Sequence, residues 1–305
     1  MIVSASFRTD IPAFYGRWFI NRLRAGACEV RNPYGSQTYT VSLRREDVDG
    51  FVFWTKNIGP FLRRLPEVRE RGFPFVVQHT INGYPRALES RVAHNSRTIG
   101  YVRRVSETYG SDAVVWRYDP IMLSSLTPPD WHRRHFASLA RRLEGATNEV
   151  TVSFAQVYQK TRRNLNAAAR EYDFTWDEHE RVAPDDLRAL LVDLAQIAVA
   201  HGMRMTACSQ RSLLIPGLVS EARCVDAERL ARVAGAPLPG KPRLKGNRPE
   251  CGCYESRDIG AYDTCPHGCV YCYAVQDRDL ALRRYRRHDP ERALLLRASS
   301  AASAS

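Results

Sequence analysis

Six apolar runs alternate with amphipathic stretches over the first two thirds of the chain. The runs are Ile2–Phe7, Gly50–Trp54, Phe73–Thr80, Ala113–Tyr118, Glu149–Val157 and Met203–Cys208. Several are almost continuously hydrophobic, the pattern of strands covered on both faces of a parallel sheet. Between them Asp10–Ala25, Ile58–Arg71, Ser96–Tyr109, Pro129–Leu143 and Pro184–His201 read as helices. The last opens on Pro-Asp-Asp, where carboxylates suit the positive end of a helix dipole. Six β/α units joined by right-handed crossovers predict an α/β fold, a partial or complete TIM-type barrel of about six units. No interior stretch is rich enough in Pro, Gly and Ser to act as a linker. The expected organisation is a barrel over residues 1–210, a cysteine-rich segment over 211–297 laid across the catalytic face, and a disordered tail over 298–305.

In such a barrel the reactive groups collect where the strands end. Those ends carry Arg8-Thr9-Asp10, Trp54-Thr55-Lys56-Asn57, Gln78-His79-Thr80, Arg117-Tyr118-Asp119 and Cys208-Ser209-Gln210, with Ser153 and Gln156 on the fifth strand. Singly, each could be a helix cap or turn former, Asp10 and Asp119 above all, because a proline follows closely. Polar clusters at all six ends point to a site. Lys56, His79, Arg117 and Asp119 are the expected polar contacts to a cofactor or substrate, joined by Ser153 and Gln156. Trp54 or Tyr118 offers a stacking surface.

Composition narrows the setting. No run of about eighteen apolar residues exists, and the N-terminal MIVSASFRTD has no secretory pattern, so the expectation is a cytoplasmic protein without a membrane span. Disulfides are uncommon there, so eight cysteines crowded towards one end suggest metal or redox chemistry. The formal net charge of +12 owes part of its excess to Arg278, Arg283, Arg284, Arg286 and Arg287. Such a segment can neutralise the phosphates of nucleic acid, or it can be a solvated helical face.

Three of the eight cysteines fall within TCPHGCVYCYA, residues 264–274. The C-x3-C-x2-C spacing of Cys265, Cys269 and Cys272 suits a compact loop that wraps a [4Fe-4S] cluster through three thiolates and leaves one iron open. A structural zinc prefers four closed ligands; His267 could supply the fourth. Cys208, Cys224, Cys251 and Cys253 provide four further thiolates, enough for a second iron–sulfur cluster or a zinc site, with buried free thiols as the alternative. Cys28 has no partner in sequence and reads as a core residue.

The string C-P-H-G-C-V-Y-C-Y-A resembles the cluster motif of radical S-adenosylmethionine enzymes, in particular the H-G-C-x-Y-C-Y-A form of spore photoproduct lyase and its relatives. Tyr271 matches the aromatic that precedes the third cysteine. Over nearly the whole chain, Asn32-Pro33-Tyr34, Phe53-Trp54-Thr55-Lys56-Asn57, Arg117-Tyr118-Asp119-Pro120 and Asp258-Ile259-Gly260-Ala261-Tyr262-Asp263-Thr264-Cys265 are similar to the bacterial domain-of-unknown-function 1848 family. The resemblance implies a cluster, S-adenosyl-L-methionine as cofactor, Tyr271 beside it, a barrel, and an electron donor such as flavodoxin or ferredoxin. It implies no substrate. On this reading the reduced cluster cleaves S-adenosylmethionine, and a 5′-deoxyadenosyl radical abstracts hydrogen from a substrate inside the barrel. Two departures stand out. Such enzymes carry the triplet after the first barrel strand, whereas here it follows the sixth unit, and no Gly-Gly-Glu motif is present. Two other classes fit part of the sequence: a metal-stabilised nucleic-acid-binding protein, and a TIM-type barrel enzyme with a structural zinc.

Overall fold

A computed structural model of the chain describes residues 1–35, 37–246 and 250–296. Its strands are β1 (Ile2–Ala5), β2 (Ala27–Arg31), β3 (Thr38–Ser42), β4 (Gly50–Thr55), β5 (Phe75–Thr80), β6 (Val114–Ile121), β7 (Glu149–Phe154), β8 (Arg204–Ala207), β9 (Val219–Glu221) and β10 (Ser256–Asp258). Eight of them form one sheet in the order β10-β1-β4-β5-β6-β7-β8-β9. Every neighbouring pair is parallel. The alternating pattern thus gives the α/β parallel architecture it predicts, with two more strands than expected, both supplied by residues 211–297.

Among the described residues no strand pairing closes this sheet, since β9 and β10 are its edges. It is strongly curled nonetheless. Laid flat, eight strands would span about 34 Å, yet Tyr254, just before β10, donates its N–H to the carbonyl of Val225, just after β9, at 3.0 Å. The period of two along each strand sorts the side chains. Val3, Phe51, Phe53, Phe75, Val77, Trp116 and Val152 face the outer helices. Ile2, Val52, Val76 and Val115 form the floor of the concave side with Val225, Leu230 and Cys253. Two residues further along those four strands come Ser4, Trp54, Gln78 and Arg117, which turns an apolar floor into a polar layer.

The helices are α1 (Ile11–Phe14), α2 (Gly16–Ala25), α3 (Leu65–Glu70), α4 (Asn95–Tyr109), α5 (Pro129–Leu143), α6 (Gln159–Tyr172), α7 (Pro184–Ala200), α8 (Ala227–Ala234) and α9 (Arg278–Arg286). The predicted helix Asp10–Ala25 is interrupted at Tyr15. A Cβ at Gly16 would lie 2.7 Å from Phe61 Cδ2, so the chain passes too close for a side chain there. Ile58–Arg71 divides into a 3₁₀ turn, Gly59–Arg64, and α3. Helix α6 leaves only a weak periodic signal in the sequence because it buries just the narrow stripe Thr161, Leu165 and Ala168. The α8 residue Arg229 is buried at the N-terminal strand ends, where it donates to Glu149 Oε2 at 2.5 Å and to the Asp112 carbonyl at 3.1 Å. The strand expected to run to Val157 stops at Phe154. No helix among the described residues is long and apolar enough to cross a membrane. The tail expected to be disordered, 298–305, lies outside the described residues.

Candidate active site

The chain leaves β10 through Asp258-Ile259-Gly260, and this turn is fixed tightly to the end of β1. The Asp258 carboxylate accepts from Ser4 Oγ (2.9 Å), Ser6 Oγ (2.7 Å), Phe7 N (3.0 Å), Arg8 Nε (2.8 Å) and Gly260 N (2.9 Å). A Cβ at Gly260 would stand 2.0 Å from Ser6 Oγ, so only glycine lets the two segments meet. Thr264 hydrogen-bonds Thr9, and Tyr15 donates to the Thr264 carbonyl at 2.6 Å. Tyr273 donates to the Phe7 carbonyl at 2.6 Å.

These contacts lay the cysteine loop across the C-terminal ends of the strands. His267 Nε2 lies 2.6 Å from Asp10 Oδ2, which also accepts from the Lys56 N–H at 2.7 Å. Val270 N donates to the Leu88 carbonyl at 3.1 Å, and Arg91 N to the His267 carbonyl at 3.0 Å. Glu89 anchors the loop from beneath. It pairs with Lys56 Nζ at 2.8 Å and accepts a short hydrogen bond from the Tyr271 hydroxyl. Burial alone would pull the Lys56 ammonium pKa down; Glu89 and Cys269 outweigh it and the net shift is upward.

Below the loop lies a cavity of about 670 Å³. Cys265, Cys269 and Cys272 line it together with Trp54, Lys56, Arg117, Asp119, Ser153, Gln156 and Tyr271. Most of the residues expected at the site therefore face one space. Asp119 joins two of them, receiving Arg117 Nη2 and the Ser153 hydroxyl in short hydrogen bonds. The Arg117 guanidinium sits 5.0 Å from the Trp54 ring centre. Burial opposes its charge, and Asp119 holds it protonated.

A search of family models matches residues 2–274 to the family described as "Domain of unknown function (DUF1848)". The chain belongs to that family. No curated protein matches it. Among solved structures it is similar to a putative alpha-L-fucosidase from Bacteroides thetaiotaomicron, at 11% identity and a TM-score of 0.25 over 80% of this chain and 85% of that one. So remote a likeness carries no argument.

The donor set in the DUF1848 cavity suits a thiolate-bound centre. The Cys265, Cys269 and Cys272 thiols have pKa values raised by burial, the state of protonated sulfur shut away from water. A bound cation reverses that preference and releases the protons. Soft thiolates select zinc or iron–sulfur centres over hard cations. Among the described residues no three His, Cys, Asp or Glu side chains are gathered closely enough to hold one ion. The thiolates of a cluster each bind a different iron and stand further apart than the ligands of one ion. His267 is engaged with Asp10 rather than turned towards the three sulfurs.

Cys208, Cys224, Cys251 and Cys253 line the same cavity. Cys224 and Cys208 sulfurs are 3.4 Å apart, and Arg117 Nη1 donates to Cys224 Sγ at 2.9 Å.

Two expected residues are elsewhere. His79 is fully buried behind the sheet, where its Nε2 accepts from Ile58 N at 3.4 Å, and burial lowers its pKa to about 4. Tyr118 points into the helix layer against Phe136, with its hydroxyl 2.7 Å from His132 Nδ1. Both positions follow from the pleat: neighbours of an inward residue face outward, so Gln78 and Arg117 reach the cavity side while His79 and Tyr118 cannot. Sequence reasoning missed Glu89, which lies in a loop without periodicity. It also missed the role of Asp258, and the Pro33-Tyr34 tip of the β2–β3 hairpin, which reaches the cavity mouth. Both Asp258 and Pro33-Tyr34 stood inside the segments that carry the family resemblance.

Proposed function

We propose that this protein is a radical S-adenosylmethionine enzyme whose chemistry takes place in the cavity beneath the cysteine loop. One observation carries the reading. The loop of Cys265, Cys269 and Cys272 follows β10, an edge strand parallel to β1, so in the sheet it occupies the place after the first strand even though it comes last in the chain. That accounts for the first of the two departures seen in the sequence, the late position of the triplet. The three thiolates would hold a four-iron cluster, which when bound supplies the single electron that cleaves S-adenosylmethionine to methionine and a 5′-deoxyadenosyl radical.

The chain's own residues define the rest. Glu89 holds the Tyr271 hydroxyl and the Lys56 ammonium together under the loop, so the loop cannot shift without breaking the buried Tyr271–Glu89 hydrogen bond. Lys56, with its charge maintained, attracts a carboxylate at that wall. Asp119, flanked by Arg117 and Ser153, provides a hydrogen-bond acceptor in the same cavity. Trp54, beside Arg117, offers an apolar face there. The seal of Thr264, Tyr15 and Tyr273 against the β1 end excludes water from one side of the cavity, as radical chemistry requires.

The test is anaerobic reconstitution with iron and sulfide, reduction, and measurement of 5′-deoxyadenosine formed from S-adenosylmethionine. Wild type should form it; Cys265→Ala, Cys269→Ala and Cys272→Ala should each lose it completely, and His267→Ala should retain its iron. Product formation by any one of the cysteine variants, or a colourless wild type that takes up zinc alone, overturns the reading.

A further inference from the structure

Four thiols outside the triplet meet at the cavity floor, drawn from three separate stretches of chain. Cys208 follows β8 directly, Cys224 lies between β9 and α8, and Cys251 and Cys253 precede β10. Cys208 and Cys224 sulfurs touch at 3.4 Å. Cys253 lies close enough to both Cys224 and Cys251 for each to perturb its thiol, so the four are neighbours. The Val225 N–H donates to Cys253 Sγ at 3.4 Å, and Gln78 Nε2 fixes the Cys224 carbonyl at 2.8 Å. Buried cysteines used only as small hydrophobes have no reason to find one another.

The charge beside these thiols is more telling. Arg117, 4% exposed, directs Nη1 at Cys224 Sγ at 2.9 Å. Its other partners, Gln78 Oε1 at 3.2 Å and Asp119, hold it in that direction. A guanidinium buried against a neutral thiol gains little for its desolvation. Against metal-bound thiolate it gains a charge-assisted hydrogen bond.

We propose that Cys208, Cys224, Cys251 and Cys253 ligate a second four-iron cluster, closed by four thiolates, on the wall of the cavity that the triplet caps. The proposal does not depend on the reading of the triplet. Only Cys208 and Cys224 touch, and among the described residues no three such side chains are gathered closely enough for one ion, which suits a cube that offers one iron to each thiolate once the Cys208 and Cys224 side chains turn apart. A single tetrahedral zinc, with bonds of about 2.3 Å, would draw all four to within roughly 3.8 Å of one another. Arg117 is the positioning residue of this centre: its cation beside Cys224 favours the more negative, reduced cluster and so raises the reduction potential.

Iron, sulfide and zinc analysis of the full chain after anaerobic reconstitution tests this. Wild type should hold about eight irons, and the triple variant Cys265→Ala/Cys269→Ala/Cys272→Ala about four irons with about four sulfides. The triple variant cannot form the triplet site whatever that site does, so its iron reports on the quartet alone. In that background Arg117→Gln should retain the iron and move the midpoint potential of the remaining cluster to a lower value. A merely structural arginine would leave the potential where it was. A triple variant with no iron, with one zinc and no iron, or with a Cys208–Cys224 disulfide in place of metal overturns the proposal.

Discussion

Asp258 is where the fold and the candidate site are joined, and its removal makes the most demanding prediction. Its carboxylate is nearly buried and accepts five hydrogen bonds, one of them from the buried Arg8 guanidinium. Asp258→Ala leaves Arg8 without its counter-ion and four other donors without an acceptor. Breaking a buried pair from one side costs about 3–5 kcal/mol, and the lost neutral hydrogen bonds share that figure rather than adding to it. Unfolding entropy of about 2.1 cal/mol/K per residue gives a 305-residue chain about 0.64 kcal/mol/K, so the midpoint should fall by about 5–8 °C. Differential scanning calorimetry of wild type and variant reads this directly. Asp258→Asn, which keeps one oxygen acceptor, should lie between the two. The same network holds β10 against β1 and aims the cysteine loop, so iron retained after reconstitution should fall in parallel with the midpoint. An alanine variant that melts within 1 °C of wild type and keeps its iron would refute the claim that this carboxylate ties the loop to the sheet.

Lys56→Met strands the Glu89 carboxylate and should cost about 3–5 kcal/mol in urea unfolding, most of which Glu89→Gln in the same chain should restore; a double variant no more stable than the single one denies the pair. Burial holds the His132 imidazole neutral, with its pKa lowered to about 4. As pH falls below about 6.5 the unfolded chain takes up a proton there that the folded one refuses, so His132 should account for up to about 3 kcal/mol of the stability lost between pH 6.5 and 4, beside a like share from His79, and His132→Gln should remove its own share. Within the basic segment Arg284 donates to the carbonyls of Tyr262 and Asp263, at 3.2 and 3.4 Å, whereas Arg283, Arg286 and Arg287 are exposed. If the helix binds nucleic acid, replacing those three by Gln should flatten the salt dependence of oligonucleotide binding by about three charges' worth. Identical weak curves for both proteins would leave α9 as a solvated face.

The parallel sheet was legible because strands covered on both faces must be apolar throughout, and Gly50–Trp54, Phe73–Thr80 and Ala113–Tyr118 announce that plainly. The elements that escaped notice are those whose stability comes from elsewhere. Strands β9 and β10 have three residues each and pair with the sheet only because their neighbours hold them. The β2–β3 hairpin, Ala-Cys-Glu-Val-Arg against Thr-Tyr-Thr-Val-Ser, alternates correctly but has a charged and largely exposed outer face. At the site, residue type at a strand end was a good guide and orientation was not. Listing Gln78 with His79 and Arg117 with Tyr118 left open which of each pair looks inward. One floor residue settles it: Val115 on the inside puts Arg117 inside and turns Tyr118 out towards Phe136. Glu89 left no trace in the sequence because its partners, Lys56 and Tyr271, are brought to it by loops.

The late position of the cysteine triplet in the chain is an obstacle only if chain order governs where a loop ends up. Strand pairing governs it instead. β10 aligns Ser256, Arg257 and Asp258 with Ile2, Val3 and Ser4, parallel and in register, so whatever follows Asp258 must emerge at the same end of the sheet as Phe7 and Arg8. The return path from β9 to β10 costs little, because loop-closure entropy grows only by about 0.6 kcal/mol per doubling of length. The five hydrogen bonds on Asp258 outweigh such a term several times over. A segment near the C-terminus can therefore serve the β1 edge as securely as one that follows β1 directly. The same path carries Cys251 and Cys253 past Val225, next to Cys224, on its way to β10. One crossing of the curled sheet thus delivers both groups of thiols to one cavity, the quartet before the strand and the triplet after it.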